Sequence, residues 1–234
     1  AEGRAVLDAA EDMDAKISAT THSVRSMRET PVGTVRIACV QPAVHLLRPL
    51  ARQIMQDCPG LHIELMSAFA RVDLAKGDAD IAVRTVAPSD PGLVVARAFT
   101  WGSCLYASKD YLSKNGRPTT LDALRTHQLL QYGTPLLSMQ AFGWIEQFAQ
   151  PDQPATRVEN SDSARIIIEQ GDGIGALFCF VGDRYAGLKR VFPEPFDQME
   201  SWVLYHESAR GSAKVRTVLD ALIPYLRERR ALLS

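Results

Sequence analysis

The chain has 234 residues, 46% of them hydrophobic and 23% charged, with a formal net charge of −1. That composition can fill one large core or two small lobes, and it lacks the basic excess of a free-standing nucleic-acid-binding domain. No apolar run is long enough to span a bilayer, and the polar, periodic N-terminus is not a signal peptide.

The spacing predicts one long helix over residues 4–28. Val6, Ala10, Met13, Ile17, Thr20, Val24 and Met27 recur at alternating intervals of three and four, with Glu11, Asp12, Asp14 and Lys16 off that seam. This reads as a linker helix that pairs with a partner chain, the alternative being an amphipathic helix lying on its own domain. Pro31 and Gly33 end it. "TVRIACV" then alternates as a strand, Pro42 opens a helix running to about Asp57, and "LHIELMS" is the next strand. A short helix, "RVDLAKG", and the strand "DIAVRTV" complete a βαβαβ unit, which implies parallel strands and right-handed crossovers.

"LVVARAF" and "SCLYAS" read as two further strands. "KDYLSKNG" and "TLDALRTH" read as short helices, "QLLQYG" as a strand and "SMQAFGWIEQFAQ" as one helix. "ATRVEN", "SDSARIIIEQG" and "IGALFCF" follow as strand, helix and strand, then the helical turn "VGDRYAG" and the strand "MESWVLYHE". The last helix runs from Ser212 to about Arg229, and Pro224 inside it should kink or interrupt it. "LAKGDADIAV" and "IEQGDGIGAL" are loosely alike, each a helix end, Gly-Asp and an apolar strand, so the chain is expected to form two lobes of similar topology. The glycines of "EQGDGIGALF" do not form a nucleotide loop. That fingerprint needs strand, glycines and helix in that order, whereas Gly171 ends a helix and a strand follows.

Catalytic motifs are absent: no G-x-S-x-G, H-E-x-x-H or G-x-x-x-x-G-K-[ST] occurs, and none of the five histidines lies in a motif with a nucleophile or metal partner. Cys39, Cys58, Cys104 and Cys179 are scattered without metal spacing, which fits a reduced cytoplasmic compartment. They read as small buried apolar side chains; a redox switch between two of them is the sharper alternative, and nothing in the spacing favours a pair.

The order and spacing of "GTVRIAC", "CPGLHIEL", "LAKGDADIAVR", "YASKDYLSKNGRPTTLDALRTHQLL", "GDGIGAL" and "WVLYHESARGSAKVRTVLDAL" resemble the effector-binding domain of LysR-type transcriptional regulators. "AEGRAVLDAAEDMDA" resembles the end of that family's linker helix, and the family's winged helix-turn-helix is not among these residues. With no initial Met, the chain is expected to be the regulatory part of a longer one. The resemblance implies an α/β fold of two Rossmann-like lobes joined by two crossover segments, like type II periplasmic binding proteins. It implies a linker helix at 1–30, lobe I at 31–104 and 207–234, and lobe II at 105–206.

It further implies a small-molecule effector held between the lobes, with no catalysis, metal or cofactor. Strand C-termini and helix N-termini converge on such a cleft, where free N–H groups favour an anion. Four segments are expected to face it. Gln41, Pro42 and Ala43 follow the first strand, the N–H of Ala43 being expected free. Arg84 and Thr85 follow "DIAV", Arg84 suiting either a carboxylate or a structural ion pair. Thr100 and Trp101 lie at the first crossover. Tyr132, Gly133 and Ser161 come from the second lobe, with Ser161 also suited to cap its helix, and Phe178 stands where family members often carry Pro. This lining suits an organic or aromatic acid. The resemblance also implies dimers or tetramers, contact with DNA through the N-terminal domain, no membrane and a cytoplasmic location. A solute-binding protein of a transport system is the alternative.

Overall fold

A computed structural model describes residues 31–67, 72–137, 140–150 and 155–229. The expected linker helix lies outside the described residues. β1 (Gly33–Cys39) turns Val35, Ile37 and Cys39 inward, as its alternation requires. α1 (Ala43–Asp57) lays Leu46, Leu47, Leu50 and Ile54 along one stripe and keeps Pro49 on its exposed face. β2 (Leu61–Ser67) and β3 (Ile81–Arg84) both run parallel to β1, one on either side of it. The helix expected at 71–77 is instead a turn over 74–77. The Asp73 carboxylate accepts the N–H groups of Ala75 and Lys76, a local bond that competes with helix.

The two strands expected at 93–99 and 103–108 are one strand, β4 (Leu93–Ser108). Its partner explains this: β9 (Asp197–His206) pairs antiparallel with it from Leu93–His206 to Ser103–Asp197, so Gly102 is held in the ladder opposite Gln198. β9 also pairs with β3, giving the order β2-β1-β3-β9-β4. Beyond Gly102, β4 leaves this lobe and pairs antiparallel with β7 (Gly175–Phe178) and β8 (Leu188–Arg190).

The second lobe begins with α2 (Lys109–Asn115) and a 3₁₀ turn, Asp122–Thr126. β5 (Gln131–Tyr132) and β6 (Arg157–Val158) are parallel, and Leu129 bridges to Ile174 just before β7. The single helix expected at 138–150 is divided: α3 (Thr134–Leu137) precedes it, then come α4 (Gln140–Gly143) and a 3₁₀ turn, Trp144–Phe148. Phe142, Ile145 and Phe148 are buried at a spacing of three, which suits the tighter winding. α5 (Ser161–Gln170) ends at Gly171, whose φ of 91° is left-handed, so the architectural reading of that glycine holds. α6 (Cys179–Gly182) is one turn. α7 (Ala213–Glu228) returns to pack on α1 and β1. Pro224 does not interrupt it, because Pro224 and Asp220, whose carbonyl loses its helical partner, both face solvent.

Candidate functional site

Register fixes where the lobes meet. Cys39 of β1 lies beside Val83 of β3, Val83 opposite Val203 of β9, and Val203 opposite Arg97 of β4. Two residues on in the same direction, past the ends of β1 and β3, Gln41 and Thr85 come to the level of the Phe99–Ser201 pair of β4 and β9. The C-terminal ends of β1 and β3 therefore abut the point where β4 and β9 pass into the second lobe.

At that point the lobes are tied by polar contacts. The Gln41 Nε2 amide donates to Asp162 Oδ2, and His45 Nε2 lies 2.7 Å from Asp162 Oδ1. Gln41 and His45 belong to the entry and first turn of α1, while Asp162 is in the first turn of α5. The Asp162 carboxylate thus sits where two helix N-termini converge, a favourable place for negative charge. Arg184, just past α6, adds a bond from Nη1 to the main-chain carbonyl of His45 at 2.6 Å.

Beside this junction runs an aromatic wall. Trp101 stacks on Phe99 at 5.5 Å between centroids and meets the edges of Phe178 at 5.3 Å and Phe180 at 5.0 Å. Phe178 continues to Phe142, and Phe142 to Tyr132. Trp101, Phe178 and Tyr132 are completely buried. Buried side-chain atoms without a hydrogen-bond partner concentrate around the same level: Gln41 Oε1, Trp101 Nε1, Ser103 Oγ, Ser161 Oγ and Ser201 Oγ. Phe99, Trp101 and Ser103 share one face of β4, and Ser201 faces the same side from β9. Each unpaired buried group costs about 1–3 kcal/mol, so a partner supplied by a ligand would be strongly rewarded there.

The sequence-predicted site residues are not all at this junction. Gln41 spans it, Pro42 and Ala43 adjoin it, and Trp101, Ser161 and Phe178 are buried near it. The Ala43 N–H is not free: it donates to Val40 O at 2.9 Å, because Val40 to Ala43 close a turn before the helix. Arg84 turns to its own lobe, donating to Val72 O and pairing with Asp90 at 3.6 Å. Thr85 follows β3 at the register level described above. Thr100 is exposed on the face of β4 opposite Trp101, across from Glu200. The Tyr132 hydroxyl is committed to β7, accepting from Ala176 N at 2.7 Å and donating to Ala176 O at 2.9 Å. Gly133 is structural: its N–H bonds Val158 O at 2.7 Å, and a Cβ there would meet the Glu159 side chain. Ser161 is not the cap of α5; Asn160 is, accepting from Ser163 N at 2.8 Å.

Sequence reasoning missed His45, Asp162 and Arg184. A signal existed for the first two: His45 lies one turn after Gln41 on the same helix face, and Asp162 adjoins Ser161. Arg184 had none. Among the described residues, no three His, Cys, Asp or Glu side chains are grouped as metal ligands, and no helix is long and apolar enough to cross a membrane.

Residues 28–227 match the family model described as the LysR substrate binding domain. The chain is 25% identical over 219 residues to the HTH-type transcriptional regulator CrgA of Neisseria meningitidis serogroup C (strain 8013), covering 90% of this chain and 73% of that protein. It is 26% identical over 227 residues to the HTH-type transcriptional activator AaeR of Escherichia coli (strain K12), covering 88% and 72%. The solved regulatory domain of CrgA, a LysR-type transcriptional regulator from Neisseria meningitidis, superposes with a TM-score of 0.70 at 26% identity, covering 84% of this chain and all of that one. With the two-lobed α/β fold and its interlobe junction, these matches show that the chain belongs to the LysR substrate binding domain family, as the effector-binding regulatory domain of a LysR-type transcriptional regulator and not a solute-binding protein of a transport system.

Proposed function

We propose that the effector is a small organic acid, aromatic or aliphatic, bound at the lobe junction by Gln41, Pro42, Ala43, Thr85, Trp101, Ser161 and Phe178, with His45 added. One observation carries this reading: Gln41 and His45 already hold a carboxylate, that of Asp162, across the junction. A ligand carboxylate matches the same donors, and a flat or branched body fits against Trp101 and Phe178. Arg84, Tyr132 and Gly133 are left out of the set because their polar groups serve the fold, and Thr100 because it is exposed on the face of β4 away from Trp101. The lobes are assigned as 31–104 with 207–234, and 105–206. Binding alters how the lobes are tied, and that change passes through a dimer or tetramer to a separate DNA-binding domain in the cytoplasm.

The test is a thermal-shift screen of the chain against aliphatic and aromatic acids, since a ligand that binds only the folded state raises the melting temperature. Acids should raise it where their amides do not, and Gln41→Ala with His45→Ala should abolish the rise without unfolding the protein. A rise that survives both substitutions places the site elsewhere.

A further inference from the structure

The proposed effector site leaves one pair of reactive groups unused. Cys104 and Cys179 are both completely buried, and their Sγ atoms are 3.4 Å apart. That is closer than two sulfur atoms rest in ordinary van der Waals contact, and a disulfide of about 2.05 Å needs a further approach of roughly 1.4 Å. Cys104 lies on β4, opposite Leu177 of β7; Cys179 is two residues further on, where β7 turns into α6. Cys104 therefore lies on the face of β4 away from Trp101 and Ser103, and Cys179 lies just past the end of the neighbouring strand β7. Cys39 is buried elsewhere in the sheet, on β1, and Cys58 is the half-buried cap of α1. Neither has a thiol partner among the described residues.

We infer that Cys104 and Cys179 form a reversible disulfide when the protein meets a hydroperoxide. The surroundings divide the two roles. The hydrogen bond shared by the two thiols lowers Cys179 below the usual thiol value, helped by the nearby Arg190 guanidinium; the same bond, together with burial, raises Cys104. Arg190 is held there by Asp183, at 2.6 and 3.0 Å. The Cys179 thiolate attacks the terminal peroxide oxygen. The O–O bond breaks, the alkoxide (hydroxide, for hydrogen peroxide) leaves with the proton that the thiol gave up, and Cys179 becomes a sulfenic acid. The Cys104 sulfur then attacks the sulfenic sulfur; the S–O bond breaks, and hydroxide leaves as water with the Cys104 proton. Two thiols and one hydroperoxide give one disulfide, one alcohol or water, and one water, with two electrons passing from sulfur to oxygen. Access comes through α6, a single turn followed by the exposed Asp183 and Arg184, so opening that turn admits a small peroxide. Because Phe178 and Phe180 flank Cys179, closing the bond pulls on the aromatic wall from behind.

The test is mass spectrometry of the reduced chain treated with hydrogen peroxide, followed by blocking of free thiols under denaturing conditions. The expected result is a monomer lighter by two hydrogen atoms, a cross-linked peptide joining Cys104 and Cys179, and full reversal by dithiothreitol. A variant carrying Cys39→Ala and Cys58→Ala should give the same cross-link, and Cys104→Ala should stop the reaction at an oxygen added to Cys179. The proposal is overturned if Cys104 and Cys179 both remain alkylatable while Cys58 is oxidised, or if each gains oxygen with no cross-link. The readout is a covalent bond and needs no effector, so failure of the effector assignment leaves it intact.

Discussion

The Arg184 guanidinium donates to the main-chain carbonyl of His45, the carbonyl that Pro49 leaves without its helical partner. A proline inside a helix removes the N–H that would bond the residue four positions earlier. In α1 that vacancy becomes an attachment point for the other lobe. Arg184→Ala should broaden the distance between the lobes, read by pulsed electron resonance from spin labels at the exposed Arg48 and Ala186. It should change stability by less than about 1 kcal/mol, because the bond is exposed. An unchanged distance distribution would mean the lobes are held elsewhere.

Asp162 competes with any acid for Gln41 and His45. Asp162→Asn removes the charge and keeps the shape, so acids should bind roughly tenfold more tightly, about 1.4 kcal/mol, the scale of one charge-assisted hydrogen bond. Calorimetric titration checks this. Weaker binding in the variant would make Asp162 a ligand contact and the effector a cation or a neutral donor.

The hydroxyl of Tyr132 closes the edge of β7 on both polar groups of Ala176. Tyr132→Phe keeps the ring against Phe142 but strands a buried N–H and a buried C=O. Urea unfolding should show a loss of about 1–3 kcal/mol. Gly175 is needed by the same contact, since a Cβ there would lie 2.9 Å from the Tyr132 hydroxyl and 2.7 Å from Ile168 Cδ1.

Burial holds the buried His127 below its ordinary value. The unfolded chain therefore takes the proton first as pH falls. The contribution of His127 to stability is fully present above the unfolded value of about 6.5 and is lost as pH falls from there through the depressed folded value. Melting temperatures from pH 8 down to 5 should decline in the native chain more steeply than in His127→Asn. Parallel curves would assign the decline to other groups.

Cys39 is pushed up to about 12 by burial, so its thiolate is scarce at neutral pH. Cys58 is only half-buried. Iodoacetamide on the native reduced protein should label Cys58 first, and Cys39 only once the chain unfolds, as peptide mapping would reveal.

The parallel βαβ winding of the first lobe was legible because Val35, Ile37 and Cys39 alternate and Leu46, Leu47, Leu50 and Ile54 share a helix stripe. The continuity of β4 was not. It depends on β9, nearly a hundred residues later in the chain, and Gly102 locally suggests a break. The division of the 138–150 helix was visible in the threefold spacing of Phe142, Ile145 and Phe148, but helix propensity masked it. Of the site, Gln41 was readable from its place after the first strand. Arg184 was not, since its role exists only when a freed carbonyl on the other lobe comes within reach.

The two strands that carry the chain between its lobes, β4 and β9, are hydrogen-bonded to each other through the passage. Two separate threads would let the lobes swivel like a door on pins. A laminated pair behaves as a leaf spring, stiff against sliding and compliant only in twist. A twist in that pair would displace β2 most within the first lobe's sheet, since β2 is the strand farthest from the spring.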